Sequence, residues 1–244
     1  MNDILSYEGY SLVFEDSFDG PALDRSRWNV ELHEPGWVNE EWQEYVDSEE
    51  NIFLRDGRLL IRPVKTVHKD GKVSYTSGRV STQYRHDFTY GLFEARLKVP
   101  KGKGFLPAFW LMTTDEDKYG QWPVCGEIDI MEVKGDRTGT NHGTLHYGLP
   151  HEQNQGTVTL PQGDFSEEFH NFALVWEPEV IRWYGDGRLF HQAVQWPSAP
   201  FHHDMYLILN LAVGGSWVGY PDGTTDFAHA AFEVEYVRVY QKKP

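Results

Sequence analysis

Three carboxylates lie close together in the segment GEIDIMEVKG, at residues 126–135. The acids are Glu127, Asp129 and Glu132, and the residues between them are apolar, which favours a β-strand. Side chains alternate between the two faces of a strand. Glu127 and Asp129 therefore share one face, whereas a regular strand would turn Glu132 to the other.

A β-bulge would bring the third acid into line. One inserted residue resets the face of a strand, and bulges are frequent beside active sites. We expect Met131 or its neighbour Ile130 to be the inserted residue. Glu127 and Glu132 would then be four strand steps apart, about 13 Å between Cα atoms at ~3.3 Å per step. Their carboxyl groups, leaning together, would be roughly 5–6 Å apart, which favours a retaining glycosidase pair (~5–5.5 Å) over an inverting one (~6.5–9.5 Å).

Carboxylates this close influence each other's protonation. Like charges raise the pKa of at least one member of such a group, and one protonated acid beside one ionised acid is what acid-plus-nucleophile catalysis requires. The same residues could instead form a solvated acidic strand face or a Ca²⁺ site built from oxygen ligands. The chain also has nine tryptophans and thirteen tyrosines, a composition that favours sugar binding, although any single tryptophan could equally be a core residue.

The rest of the chain predicts short strands separated by turns. LFEARLKV alternates apolar with charged residues, MYLILNLAV is an apolar run suited to a central strand, and Asp-Gly pairs recur as turn signals. A helical period is not sustained for three turns anywhere. We therefore predict an all-β sandwich or barrel, forming a single domain over residues 1–244.

The amino-acid composition argues against several classes of binding partner and site. A formal charge of −15 argues against nucleic acid or an anionic membrane as a partner, and there is no apolar run of the ~18 residues needed to span a bilayer. The single cysteine, Cys125, excludes an intrachain disulfide and metal sites built on paired cysteines. The first residues, MNDILSYEGY, lack the basic and apolar regions of a signal peptide, so we expect either an intracellular protein or one whose signal has been removed.

The segment GEIDIMEV resembles the signature of glycoside hydrolase family 16 in its six-residue E-x-D-x-x-E form, which is typical of bacterial laminarinase-like β-1,3-glucanases. Other segments are similar to the family in the same order: LVFEDSFDG, VNEEWQEYV, YTSGRVST, GTLHYG, FALVWEP and LILNLAVGGSWVGYPD. The resemblance implies a jelly-roll β-sandwich of two antiparallel sheets with a concave substrate cleft. It also implies a secreted, monomeric retaining endo-β-1,3-glucanase that binds β-glucan polysaccharides or oligosaccharides and needs no cofactor for catalysis.

The resemblance assigns roles to individual residues. Glu127 matches the nucleophile, Glu132 the general acid/base, Asp129 the acid that hydrogen-bonds the nucleophile, and His146 the histidine beside them. The residues that match substrate contacts are Asn39, Arg79, Trp110, Trp122 and Trp217. Many members bind a structural Ca²⁺, for which the matching donors are Glu15, the Gly57 carbonyl and Glu235, the last of which stands where the family usually has Asp.

Other functions on the same fold stay open at this point. The substrate could be a mixed-linkage β-1,3-1,4-glucan, the substrate of the lichenases, whose signature lacks the inserted residue, or an algal galactan. A sulfated galactan would favour a basic cleft, which the net charge of −15 makes less favourable. A non-catalytic lectin is the alternative from another class, but a lectin has no need for three aligned acids.

Overall fold

The computed structural model describes residues 4–243, which form β-strands joined by turns and loops. The first ten strands are β1 (Tyr10–Asp16), β2 (Asn29–Val30), β3 (Gln43–Tyr45), β4 (Ile52–Leu54), β5 (Leu59–Ile61), β6 (Val64–Val67), β7 (Val73–Ser77), β8 (Arg79–Ser81), β9 (Asp87–Phe88) and β10 (Gly91–Lys98). The other nine are β11 (Phe105–Thr113), β12 (Glu127–Val133), β13 (Thr140–Tyr147), β14 (Glu152–Thr159), β15 (His170–Trp176), β16 (Val180–Gly185), β17 (Arg188–Val194), β18 (Met205–Val213) and β19 (Phe232–Lys242).

One short helix, α1 (Glu116–Tyr119), interrupts the described strands between β11 and β12. The Asp115 side chain caps its start by accepting from the Lys118 backbone N–H at 3.0 Å, which satisfies one of the unpaired donors of a helix N-terminus. Nowhere in residues 4–243 is there a helix with the length and apolar character needed to cross a bilayer.

Two antiparallel sheets of eight strands each form the body of the protein. The first has the order β17-β16-β15-β10-β19-β5-β4, with β1 also paired to β19. The second has the order β14-β13-β12-β11-β18-β8-β2, with β9 also paired to β18. The predicted all-β architecture of two antiparallel sheets is confirmed. A third, three-stranded sheet, β3-β7-β6, includes a parallel pair, β3 with β7, which the sequence pattern did not predict.

The apolar core lies between the two large sheets. Phe93, Ala95 and Leu97 of β10 belong to it, as the alternation of LFEARLKV predicts. Three of the nine tryptophans are also fully buried there and are core residues rather than sugar-binding ones: Trp28, Trp176 and Trp183. Burying such a side chain contributes on the order of 2–3 kcal/mol. The indole of Trp183 also donates to the Asp129 carbonyl at 2.7 Å, which ties the core to the acidic strand.

Candidate active site

The pairing of β12 with its neighbours breaks between the second and third acids. On the β11 side, Trp110 pairs with Asp129 and Phe109 pairs with Met131, so Ile130 has no partner there. On the β13 side, the register also shifts between Asp129 and Glu132. The predicted bulge is confirmed, and Ile130 is the residue inserted relative to β11.

The bulge turns two consecutive side chains toward the core. Ile130 and Met131 are 1% and 0% exposed, and both belong to the main apolar cluster. Glu132 is partly exposed and lies close enough to Asp129 and Glu127 for their charges to raise its pKa. The three acids therefore share the outer face of the second sheet, as the sequence predicted.

The environment of the three acids disfavours a full set of negative charges. Burial, and next the charge of Asp129, raises the pKa of Glu127 to about 8. Burial, followed by the charges of Asp129 and Glu127, raises the pKa of Glu132 well above its ordinary range. Asp129 is 2% exposed. At neutral pH the group therefore retains protons, because each added charge would be poorly solvated and close to its neighbours.

His146 supplies a nitrogen base beside these acids. It pairs with Glu127 across β12 and β13, and its Nε2 atom lies 3.2 Å from Oδ2 of Asp129. Burial opposes a charge on the ring, but the contact with Asp129 outweighs it and raises the pKa of His146. Ligand atoms of Glu127, Asp129 and His146 lie within 4.8 Å of one another. A bound cation is not needed to explain this closeness, because the raised pKa of His146 favours a positive charge on the ring beside the Asp129 carboxylate.

The two predicted Ca²⁺ donors with carboxylate side chains, Glu15 and Glu235, lie elsewhere and are already paired with arginines. Glu15 accepts from Arg238 Nε at 2.7 Å. Glu235 accepts from Arg96 Nε at 2.7 Å and also lies 3.8 Å from Arg58 Nε. A guanidinium group already contacts each of these carboxylates and repels a second cation. The proposed donor set of Glu15, Gly57 and Glu235 therefore does not fit a calcium ion in this chain.

Trp110 lies beside Asp129 and is held by polar contacts. Its indole donates to Asn210 Oδ1 at 2.7 Å, and the Arg79 guanidinium lies 4.8 Å from the centre of its ring. Arg79 is only 6% exposed and pairs with Glu31. Burial would raise the pKa of Glu31, but the charge of Arg79 and hydrogen bonds to the carboxylate together outweigh it and lower that pKa to about 2. The structure thus places Arg79 beneath the aromatic surface, as a support for Trp110.

Two exposed tryptophans flank the acids. Trp122 is 47% exposed, and its ring centre is 6.3 Å from that of His146, the strand partner of Glu127. Trp217 is 40% exposed, and its ring centre is 5.1 Å from that of His142, the strand partner of Glu132. Both rings have free surface on which a sugar could stack. The predicted residues Trp110, Trp122 and Trp217 are therefore brought to the acidic group.

Asn39 lies at the edge of the same region. Its carbonyl accepts from the Ser216 backbone N–H at 3.0 Å, next to Trp217, and its side chain is 3.4 Å from Glu41 Oε1. Sequence reasoning did not select Glu41, although the acid follows two residues after Asn39. Glu41 is 7% exposed, burial raises its pKa, and its charge contributes to the raised pKa of Glu132.

Two other residues of the site were missed. Trp37 is 50% exposed and stacks on His33 at 3.5 Å between ring centres, close to Arg79. His151 lies in the turn after β13, and its Nε2 atom is 2.9 Å from His146 Nδ1. The signal for His151 was the third histidine in HGTLHYGLPHE, because the Gly-Leu-Pro turn folds the chain back along β13.

Comparison with known proteins identifies relatives of this chain. The family described as glycosyl hydrolases family 16 matches residues 39–237. Glucan endo-1,3-beta-glucosidase A1 of Niallia circulans is 36% identical over 96% of this chain and 38% of its own length. The glucan endo-1,3-beta-glucosidase of Cryptopygus antarcticus is 38% identical over 96% of this chain and 93% of its own length. The chain thus spans little more than a third of the first relative and nearly all of the second.

A solved structure shows the same fold. The laminarinase catalytic domain of Thermotoga maritima MSB8 is 38% identical and superposes with a TM-score of 0.85, covering 97% of this chain and 100% of that one. This similarity, together with the two large antiparallel sheets described above, confirms the predicted jelly-roll fold class.

Proposed function

The chain belongs to glycosyl hydrolase family 16, and on this basis we propose that it is a retaining endo-β-1,3-glucanase that cleaves internal bonds of laminarin-type β-glucans. The observation that supports this most directly is the bulge in β12, which aligns Glu127, Asp129 and Glu132 on one face. A regular strand would separate the two glutamates, so the bulge is what makes a two-carboxylate mechanism possible.

The proposed reaction has two steps. In the first, protonated Glu132 donates its proton to the glycosidic oxygen as the bond to the anomeric carbon breaks, and the Glu127 carboxylate attacks that carbon. In the second, Glu132 removes a proton from water, and the water oxygen displaces Glu127. Two inversions at the anomeric carbon restore its configuration. The raised pKa of Glu132 supports its role as the acid, because it keeps the proton available at neutral pH.

The nucleophile must be ionised when it attacks, yet the pKa of Glu127 is raised to about 8 by burial and the charge of Asp129. His146 pairs with Glu127 across β12 and β13, and its charge opposes these effects by lowering the pKa of Glu127. His146 therefore favours the ionised form of Glu127, which is the form that attacks.

The aromatic residues support a polysaccharide as the substrate. Trp122 and Trp217 expose ring surface at the two ends of the acidic group, so sugar units on both sides of the cleaved bond could stack on them. An enzyme that acts within a chain needs contacts on both sides. We include in the proposal an extracellular location, where polymeric glucans are accessible, and action as a monomer.

A reducing-sugar assay on laminarin, lichenan, agarose and carboxymethyl-cellulose tests the proposal. We expect the highest rate on laminarin, with mixed oligosaccharides as early products, and no release by the Glu127→Gln variant. Higher rates on lichenan or agarose would replace the proposed substrate with another glycan. Binding of laminarin by the unaltered chain without release of reducing ends would instead indicate a lectin.

A further inference from the structure

The bulge in β12 interrupts the backbone ladder beside Glu132. Inserting a residue leaves peptide groups on the bulged strand without ladder partners, and buried peptide groups need partners to avoid a loss of stability. The groups concerned are the Ile130 carbonyl and the Glu132 N–H, which lie on either side of Met131.

The side chain of Asn141, on the neighbouring strand β13, provides both partners. Its Oδ1 atom accepts from the Glu132 N–H at 3.0 Å, and its Nδ2 atom donates to the Ile130 carbonyl at 3.4 Å. Asn141 is 0% exposed, and its backbone is held in register between Val133 of β12 and Val158 of β14. One amide group therefore closes the bulge from a fixed position.

Asparagine fits this position better than aspartate or leucine, the side chains of similar size. Closing the bulge requires an acceptor and a donor on one short planar group, which asparagine has. An ionised aspartate offers acceptors only and would add a charge close to the three acids. Leucine has the size but neither polar atom.

We propose that Asn141 is a positioning residue for Glu132, whose backbone it holds so that the carboxyl group reaches the glycosidic oxygen. This inference rests on the proposed function, because it assigns Asn141 to the acid/base step of that reaction. The reach of a general acid is sensitive to small displacements. Loosening the bulge should therefore weaken proton donation while leaving Glu127, on the other side of the bulge, in place.

Comparing two substrates separates this role from a general effect on folding. Laminarin needs protonation of its leaving group, whereas a dinitrophenyl β-laminaribioside does not. For Asn141→Ala we expect kcat/KM on laminarin to fall by about 10²-fold, within the range attributed to general acid catalysis. On the dinitrophenyl substrate we expect kcat/KM to change by less than about threefold, because attack by Glu127 is unaffected.

Asn51 offers a matched control. It is likewise buried, at 1% exposure, and its side-chain amide donates to the Arg62 carbonyl at 2.9 Å, outside the acidic group. Asn51→Ala should lower stability and leave the ratio of the two kcat/KM values as in the unaltered chain. If Asn141→Ala does not fold, Asn141→Ser replaces it, because a short side chain with one hydroxyl cannot span both peptide groups and adds no charge; the same change in the ratio is expected.

A second measurement does not depend on activity. Carbon-13 NMR titration of the glutamate side chains reports the pKa of Glu132 directly. We expect a lower pKa in the Asn141 variant, because a displaced carboxyl group is better solvated and farther from Asp129. An equal fall of kcat/KM on both substrates, or an unchanged pKa of Glu132, would overturn the inference. Failure of the unaltered chain to cleave either substrate would instead overturn the proposed function, and the titration would still decide the position of Glu132.

Discussion

The Nε2 atom of His146 lies 3.2 Å from the Oδ2 atom of Asp129, and the backbone of His146 pairs with that of Glu127. One imidazole ring is thus placed beside two acids, the buried Asp129 and the partly exposed Glu127. Its other nitrogen, Nδ1, is 2.9 Å from Nε2 of His151, which lies in an exposed turn. Asp129, His146 and His151 form a line of contacts that leads from the buried Asp129 toward solvent.

The first prediction concerns the outer member of this line. The pKa of His146 is raised, whereas burial, followed by the charge of His146, lowers the pKa of His151, so His146 donates and neutral His151 accepts. Removing the acceptor in His151→Ala should lower the pKa of His146 and reduce kcat/KM about 2–10-fold, the value of one hydrogen bond. Nitrogen-15 NMR of the imidazoles and kinetics measure the two effects. His229→Ala, which removes an exposed histidine paired with Asp226, should change neither. An unaltered His146 titration would show that the ring contact has no influence.

The second prediction concerns stability and pH. The pKa of Glu127 is about 8 in the folded protein, against an ordinary value of 4.5. Between these values the folded state binds more protons than the unfolded state, so stability is greatest at the lower end of this window and falls as the pH rises through it. Glu127→Gln cannot ionise and should raise the free energy of unfolding by about 1–2 kcal/mol near pH 8. One pKa unit corresponds to ~1.4 kcal/mol, and the partial exposure of Glu127 to water reduces the full effect.

Denaturant unfolding at several pH values measures this effect. The difference between Glu127→Gln and the unaltered chain should shrink as the pH falls toward the ordinary glutamate value. Glu50→Gln, which removes an exposed carboxylate, is the matched control and should show no such trend. A gain that is the same at all pH values would mean that the ionisation of Glu127 is not its cause.

The third prediction separates the roles of the two glutamates by chemical rescue. Glu132→Ala and Glu127→Ala should each lower kcat on laminarin by at least about 10³-fold. With an activated aryl substrate, azide should accelerate Glu132→Ala and give the β-glycosyl azide, because azide attacks the glycosyl-enzyme without needing a base. With Glu127→Ala, azide can only attack the substrate directly and should give the α-azide.

Proton NMR of the azide products identifies their anomers. The same method applied to the unaltered enzyme should detect β-anomers first among the products from laminarin. If α-anomers are formed first, the enzyme inverts configuration, and the roles given to both glutamates would have to be withdrawn.

The fourth prediction concerns calcium. Because Arg238 pairs with Glu15, and Arg96 and Arg58 lie against Glu235, we expect neither added Ca²⁺ nor EDTA to change the melting temperature. Differential scanning calorimetry measures this. The double variant Arg58→Met/Arg96→Met frees Glu235 and is the chain in which a response to Ca²⁺ could appear. A shift of several degrees with Ca²⁺ in the unaltered chain would show that a cation site exists despite these ion pairs.

The alignment of the acids could be predicted from sequence because it depends on the local period of a strand. The spacing of Glu127, Asp129 and Glu132 demanded an inserted residue, and the structure has one. Which residue is inserted could not be predicted, since Ile130 and Met131 are both apolar and both suit the core. The neighbouring strand β11 decides which residue is inserted. Phe109 pairs with Met131 and Trp110 pairs with Asp129, so Ile130 is left without a partner.

Long-range contacts decided what these residues experience. Arg79 supports Trp110, and arginines neutralise Glu15 and Glu235, through pairs separated by up to 223 positions along the chain. Asn141, nine positions from Glu132, completes the bulge from the neighbouring strand. The raised pKa values of Glu127 and Glu132 likewise depend first on burial, which is a property of the packed sandwich. The sequence by itself determined the fold class and the face that the acids share, because periodicity is local. Only the tertiary structure decided their protonation, their partners and the failure of the calcium donors, because these depend on which distant side chains pack against them.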